Sequence, residues 1–438
     1  MPQWPTARWG SSWRRYRAHG ASGLLAHRRQ APSAAFEAAH SPSTGRQVGL
    51  DAIRGVAILL VVAYHYMTRL PAGTPVNLLT RATMRLSELG WSGVDLFFVL
   101  SGFLIGGILI DHRQSPTYFT TFYGRRFMRI IPLYALSLGI FALIFFYSGW
   151  QSRHLEGLME VQISPWAFVF LVQNFSVASI GHWAGPGWLG VTWSLAVEEQ
   201  FYLILPALIR YLPPAKLPPL CIAAVIAAPI TRFAFLWLNP ENTVAPLVLF
   251  PCRMDALFLG VLCALAYRND RIMRYLGRHR LALITAFIAT LVAVVAGSHH
   301  LSPDRFFTQV AGYSFIAAFY SLGLLIALTG RASSRWLRIG RLPLVWAGIG
   351  AYSMYLFHRP LQGLIEGYLG YDSVAGRLAS LCAVVAAAVI CWILIERPAI
   401  TTGRRLLRYR DRSFPARLRH SSAGAGLCQP VQTRGNCE

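Results

Sequence analysis

Acidic side chains are scarce in this chain of 438 residues, where 18 Asp and Glu stand against 41 Lys and Arg. Charge of either sign is scarce too, at 13% of residues against the roughly 25% usual in soluble domains. Hydrophobic residues make up 55%. That balance excludes the two or three soluble domains the length would otherwise imply, and points to a membrane protein. In a soluble chain a net charge of +23 would point to nucleic acid. In a membrane protein it marks the loops retained in the cytoplasm, so no nucleic-acid partner is expected. Cysteine excludes as well: Cys221, Cys252, Cys263, Cys382 and Cys391 lie in apolar runs, and Cys428 and Cys437 in a polar tail. With no CxxC pair or ligand spacing, neither a disulfide framework nor a metal site is expected. Residues 1–49 lack the apolar core of a secretory signal.

What the chain does have is long apolar runs. A span takes about 20 residues at about 1.5 Å each to cross a hydrocarbon core of about 30 Å. Ten segments qualify: 50–68, 91–111, 129–148, 188–209, 217–238, 247–267, 281–298, 309–329, 344–365 and 376–396. An eleventh, 164–180, is short and carries Gln173, Asn174 and Ser176. Charge decides its fate. With ten spans and the N-terminus inside, 31 of the 41 basic residues fall in cytoplasmic segments, and a crossing at 164–180 would turn the later basic loops outward. The expected fold is an all-α polytopic helical bundle of about ten transmembrane helices with both termini cytoplasmic, 164–180 lying in the outer interface. One membrane domain over 48–400 would be flanked by a disordered basic tail at 1–47 and another at 401–438.

Ionisable groups inside spans cost several kcal/mol unless they pair or face a cavity, which makes them functional candidates. Arg54 and His65 in the first span lie eleven residues apart, so they share a helix face at about 16 Å separation. A lone intrahelical histidine is ordinarily a packing residue; a same-face arginine weakens that reading. Asp95 enters the second span in the same outer third as His65. The fourth span carries Trp193, Ser194, Glu198 and Tyr202, the last three along one stripe, with Glu198 near mid-membrane. Arg253 and Asp255 in the sixth span are two residues apart and cannot face each other, so each should pair with another helix. Ser353, Tyr355 and His358 fall in the outer half of the ninth. On the inner side, Arg125, Arg126 and Arg129 precede the third span. They serve either as a topological anchor or as a bidentate grip on phosphate. Glu396 closes the last span, where it could cap that cluster.

Taken in order, these segments resemble the acyltransferase 3 family of integral membrane O-acyltransferases, which modify sugars of bacterial surface polysaccharides. The resemblance rests on Leu50-Asp51-Ala52-Ile53-Arg54-Gly55 followed by His65, on Gly93 to Phe103 around Asp95, and on Arg125 to Pro132. It continues through Trp193 to Tyr202, Arg253-Met254-Asp255-Ala256, Ser353 to His358 and Glu396-Arg397-Pro398. It implies a bacterial cytoplasmic (inner) membrane protein with an acyl-CoA donor, acetyl-CoA first among them, on the cytoplasmic face. It also implies a carbohydrate acceptor reached from outside and His65 as the central catalytic residue. Some members carry an added extracytoplasmic hydrolase-like domain. The 40 residues after Pro398 are too few and too polar for one, so the stand-alone form is expected.

The residue chemistry agrees. A neutral imidazole is the side chain suited to deprotonate a sugar hydroxyl near neutrality, with Asp95 or Glu198 to orient it. His65 as a nucleophile forming an acyl-imidazole is the alternative. Arg54 would stabilise oxyanion or phosphate charge, and Arg125, Arg126 and Arg129 would hold the CoA phosphates. Trp193, Ser194, Tyr202, Arg253, Asp255, Ser353 and His358 are assigned to substrate. A secondary transporter or flippase of a sugar-containing substrate would also place charges at mid-membrane, but matching Gly/Pro interruptions in the two halves are not evident.

Overall fold

The computed structural model describes residues 45–68, 77–148, 162–183, 187–297, 303–330, 342–370 and 373–410. Of the expected tails at 1–47 and 401–438, residues 1–44 and 411–438 lie outside the described residues. The described chain is helical, with no strand among the described residues. The long helices are α1 Gly45–Met67, α2 Gly93–Asp111, α3 Tyr118–Ser148, α4 Trp193–Tyr211, α5 Leu217–Leu238, α6 Phe250–Tyr267, α7 Arg280–Gly297, α8 Tyr313–Thr329, α9 Ala351–Leu369, α10 Val374–Cys391 and α11 Arg397–Leu406.

Seven described helices are long and apolar enough to cross a membrane, or eight if Asp270–Arg278 and Arg280–Ala296, bent by 78°, form one span. The chain is a multi-pass membrane protein. Of the ten expected spans, α4 and α9 fall outside this group. Each has 19 residues, about 28 Å at 1.5 Å per residue. Each also carries acidic and basic side chains, Glu198, Glu199 and Arg210 on α4 and Arg359 and Glu366 on α9. The segment 164–180 does not form one helix. It breaks into Pro165–Val169 and Gln173–Ile180, with Leu171 between them at φ 56°. Eight residues reach only about 12 Å, too short to cross. Gln173 and Asn174 are buried. The Gln173 amide donates to the Thr192 carbonyl at 2.8 Å, and Asn174 donates to Val248 O at 3.1 Å and exchanges hydrogen bonds with Gln200.

The centre is α2 packed on α6. Both are mostly apolar and buried, and they meet through glycine: a Cβ at Gly102 would lie 1.9 Å from Leu257 O, and one at Gly260 2.2 Å from Val99 O. Without a hydrophobic drive between helices in lipid, this close backbone approach supplies the dispersion contact. The same device joins α1 to the short helix Leu342–Ile349, where a Cβ at Gly55 would sit 1.9 Å from Leu344 O and one at Gly348 1.8 Å from Asp51 O. That packing splits the expected span 344–365 at Gly350. The outer helices expose large apolar side chains, such as Leu143 and Phe146 on α3, Ile226 and Ile230 on α5, and Val385 and Val389 on α10, as lipid contact requires.

Two boundaries differ from expectation. α3 begins at Tyr118 and runs 31 residues, so Arg125, Arg126 and Arg129 lie inside it, not ahead of it. At the other end the chain continues from α10 through a π-helical turn, Trp392–Glu396, into α11. The domain boundary expected at 400 falls within α11, and residues 407–410 pack back on α3.

Substituting Gly102 by Ala forces a methyl into a backbone carbonyl and should lower stability by about 1–3 kcal/mol. Gly139, with nothing within 4 Å of its would-be Cβ, should gain up to about 1 kcal/mol as Ala. Denaturant unfolding in detergent micelles compares the two.

Candidate active site

At the end of the bundle where α3 starts, a cavity of about 650 Å³ opens between α1, α2, α3, α4, α9 and α11. Residues of α2 from Val94 to Ile108 line it, about 21 Å of helix at 1.5 Å per residue, so it reaches most of the way through a bilayer core. Seven arginines line it: Arg54, Arg125, Arg126, Arg129, Arg268, Arg397 and Arg404. Asp51 and Glu198 are the acidic lining residues. Asp51 is bound to Arg54 at 2.9 Å, and Arg268 is held bidentately by Asp111 at 2.6 and 2.7 Å. Among the described residues, Arg125, Arg126, Arg129 and Arg404 make no ion pair with a carboxylate. Arg126 lies over the Tyr202 ring at 5.7 Å, and Arg125 over the Tyr409 ring at 5.1 Å. Burial pushes the Tyr409 phenol up to about 12, so the ring stays uncharged under the guanidinium. An excess of guanidinium over carboxylate in a recessed cavity gives it a positive potential.

Deeper in, Glu198 accepts from Tyr202 Oη at 2.9 Å, and that hydroxyl lies 2.5 Å from Ser101 Oγ. The cavity ends at Ser194 and Tyr355. Their hydroxyls are 2.5 Å apart, and Tyr355 also donates to Val191 O at 2.9 Å. Beyond Tyr355 stand two histidines. The Tyr355 and His358 ring centroids are 5.9 Å apart, and His358 meets His65 edge-on at 4.8 Å.

Each imidazole has a fixed tautomer. His65 Nδ1 lies 2.9 Å from Val61 O, and His358 Nδ1 lies 2.8 Å from Tyr355 O and 3.2 Å from Met354 O. A carbonyl oxygen only accepts, so Nδ1 carries the proton and Nε2 keeps its lone pair. His358 is fully buried and its Nε2 has no protein partner among the described residues; His65 is half-buried.

The carboxylates expected to orient His65 are engaged elsewhere. Asp95 binds Arg253 Nη2 at 2.5 Å, both fully buried, and Glu198 is held by Tyr202. The backbone carbonyl of Val61 takes the orienting place instead. Asp255 pairs with Arg232 at 2.9 Å, and Ser314 donates to the same carboxylate at 2.6 Å. Arg253 and Asp255 therefore each pair with another helix, and Arg253 stacks on Tyr313 at 4.1 Å. Ser353 is fully buried and donates to Glu396, which does not reach the Arg125 cluster by a hydrogen bond. Trp193 packs edge-on against Phe98 at 6.3 Å. Of the residues assigned from sequence, Arg54, Arg125, Arg126, Arg129, Ser194, Glu198 and Tyr202 line the cavity. His65 and His358 form the pair behind it, while Asp95, Trp193, Arg253, Asp255 and Ser353 stay in the packed interior. Tyr355, Arg404 and Tyr409 line the cavity without having been assigned. From sequence, Tyr355 stands among the polar residues of the ninth span without a role.

The family model of the acyltransferase domain matches residues 47–396. The chain belongs to the acyltransferase 3 family. Among curated relatives it is 29% identical over 325 residues to a peptidoglycan O-acetyltransferase of Listeria monocytogenes, covering 71% of this chain and 49% of that protein. It is 26% identical over 363 residues to a putative membrane-bound transacylase of Komagataeibacter xylinus, covering 81% and 83%. To an O-acetyltransferase of Staphylococcus aureus it is 25% identical over 346 residues, covering 73% and 51%. The chain thus spans about half the length of the two O-acetyltransferases. No solved structure matches. The residues common to this acyltransferase 3 chain and the family model end at Glu396, short of α11.

Removing Asp95 leaves Arg253 charged and unpaired in the interior. Asp95→Leu should cost about 3–5 kcal/mol, and Asp95→Leu with Arg253→Leu should recover most of it. A double-mutant cycle on unfolding in detergent gives the pair's coupling.

Proposed function

We propose that this chain is a membrane O-acyltransferase that moves an acyl group, acetyl first, from acyl-CoA in the arginine-lined cavity to a hydroxyl of a carbohydrate acceptor at the histidine end. The observation that carries the reading is an alignment: arginines without a carboxylate partner among the described residues line a deep cavity, and the His65–His358 pair stands one ring beyond Tyr355 of its lining. In this reading ten helices cross the cytoplasmic membrane of a bacterium, α4, α7 and α9 included, with both termini and the arginines on the cytoplasmic side. The basic loops support that orientation, and acyl-CoA is a cytoplasmic polyanion.

Arg125, Arg126 and Arg129 grip the CoA phosphates, and Arg54, held by Asp51, faces the cavity to stabilise charge nearer the thioester. The acyl group passes Tyr355 to reach His65. Nε2 of His65 removes the acceptor hydroxyl proton as that oxygen attacks the thioester carbonyl carbon. The tetrahedral intermediate expels CoA thiolate, and the imidazolium returns the proton to sulfur, leaving an ester and free CoA. Val61 O keeps the tautomer fixed through the cycle. The O-acetyltransferase relatives support acetyl as the group and a cell-envelope glycan as the acceptor class.

Purified protein given labelled acetyl-CoA and a glycan acceptor should form an acetyl ester, and His65→Ala should cut the rate about 10²–10⁴-fold without altering unfolding. Undiminished turnover by that variant would sink the assignment. Arg126→Ala and Arg129→Ala should each raise KM for acetyl-CoA about tenfold, as loss of a charged hydrogen bond predicts, with kcat less affected. If only membrane insertion changes, the arginines are anchors.

A further inference from the structure

Residues 407–410 form no helix, yet they are tied to the start of α3 along their whole length. Thr117 Oγ1 and Thr121 Oγ1 donate to Arg408 O at 3.0 and 3.1 Å, and Ser115 Oγ donates to Arg410 O at 2.9 Å. The Arg410 N–H returns a bond to Thr117 Oγ1 at 3.1 Å. Leu407 covers Gly124, whose would-be Cβ lies 2.5 Å from Leu407 Cδ1. Tyr409 stacks on His112 at 3.9 Å with the rings 3° from parallel. Tyr409 of this strap lines the cavity, as does Arg404 of α11.

The strap's closest link to the basic cavity is Arg125. Nε of Arg125 donates to Leu407 O at 2.8 Å, and the guanidinium carbon sits 5.1 Å from the centre of the Tyr409 ring. With Nε used and the plane held against an aromatic face, the Nη pair is what remains of the planar donor fork. That pair is the part that meets phosphate bidentately. A free arginine side chain loses its rotamer freedom when it captures an anion; one already fixed does not.

We propose that the strap 407–410 is a positioning element of the donor site: the Leu407 carbonyl and the Tyr409 ring hold Arg125 with its Nη groups toward the phosphates of acyl-CoA, and Arg404 adds a guanidinium at the mouth. The proposal rests on the acyl-CoA reading above and extends it to a segment outside the residues that the family model matches. Tyr409 and Leu407 act through Arg125, so they are positioning residues.

The test uses the full chain in detergent micelles, with CoA binding by calorimetry and acetyl-CoA kinetics. The variants are Tyr409→Ala, Tyr409→Phe and a chain ended after Leu406. Tyr409→Ala and the shortened chain should bind CoA about tenfold more weakly and raise KM for acetyl-CoA about as much, the effect of losing one hydrogen bond to a charged group. Their kcat should stay within about twofold. Tyr409→Phe keeps the ring and should restore the affinity. Unchanged CoA affinity in both Tyr409→Ala and the shortened chain overturns the strap alone. So does a loss that tracks a lowered unfolding midpoint and is not rescued by Phe. If the unaltered protein binds no CoA, the acyl-CoA reading fails, and the strap with it.

Discussion

A charge in hydrocarbon must find a counter-charge or a cavity, and this one constraint sorts the polar residues of the molecule. Asp95 finds Arg253, and Asp255 finds Arg232. These two pairs bind α2 to α6 and α6 to α5, with Ser314 of α8 joined to the second. Arg125, Arg126, Arg129 and Arg404, without such partners among the described residues, line the cavity, while the buried Glu366 and Glu396 are held by hydroxyl and amide donors. Asp95 is bound to Arg253, and His65 Nδ1 meets Val61 O in its place. The histidine is left to a backbone carbonyl, which fixes its tautomer without neutralising an imidazolium.

The glycine crossings make that pairing possible. With α2 and α6 in backbone contact at Gly102 and Gly260, side chains one to two turns away are brought within ion-pair distance. The contact of α1 with Leu342–Ile349 at Gly55 and Gly348 does the same for the other half. It fixes the helix that carries both Arg54 and His65 beside the one that carries Tyr355 and His358. The cavity is the space those crossings leave between α1, α2, α3 and α4. Its mouth is basic because α3 begins at Tyr118 and brings three arginines with it.

Much of this was legible in the sequence. Segment lengths and basic loops gave a polytopic helical protein and kept 164–180 from counting as a span, which the break at Leu171 explains. The two-residue spacing of Arg253 and Asp255 required separate partners, and each has one. Arg54, Ser194, Glu198 and Tyr202 were marked by being polar where apolar residues were due, the Arg125 cluster by three closely spaced arginines, and all line one cavity. Less legible were contacts made by ordinary residues. Val61 offers only a carbonyl, and Leu407 to Arg410 reads as a polar tail.

The sequence alone determined that the chain crosses a membrane repeatedly, which of its groups are too polar to be there without purpose, and the order of the motifs. Composition, helical period and charge asymmetry are properties of the chain taken segment by segment, so no packing is needed to read them. Only the tertiary structure decided which polar group meets which: Asp95 to Arg253 and not to His65, Ser353 to Glu396, and residues 407–410 to the mouth of the cavity. Those choices follow from helix crossings set by a few glycines and from backbone acceptors, and neither leaves a periodic trace in the sequence.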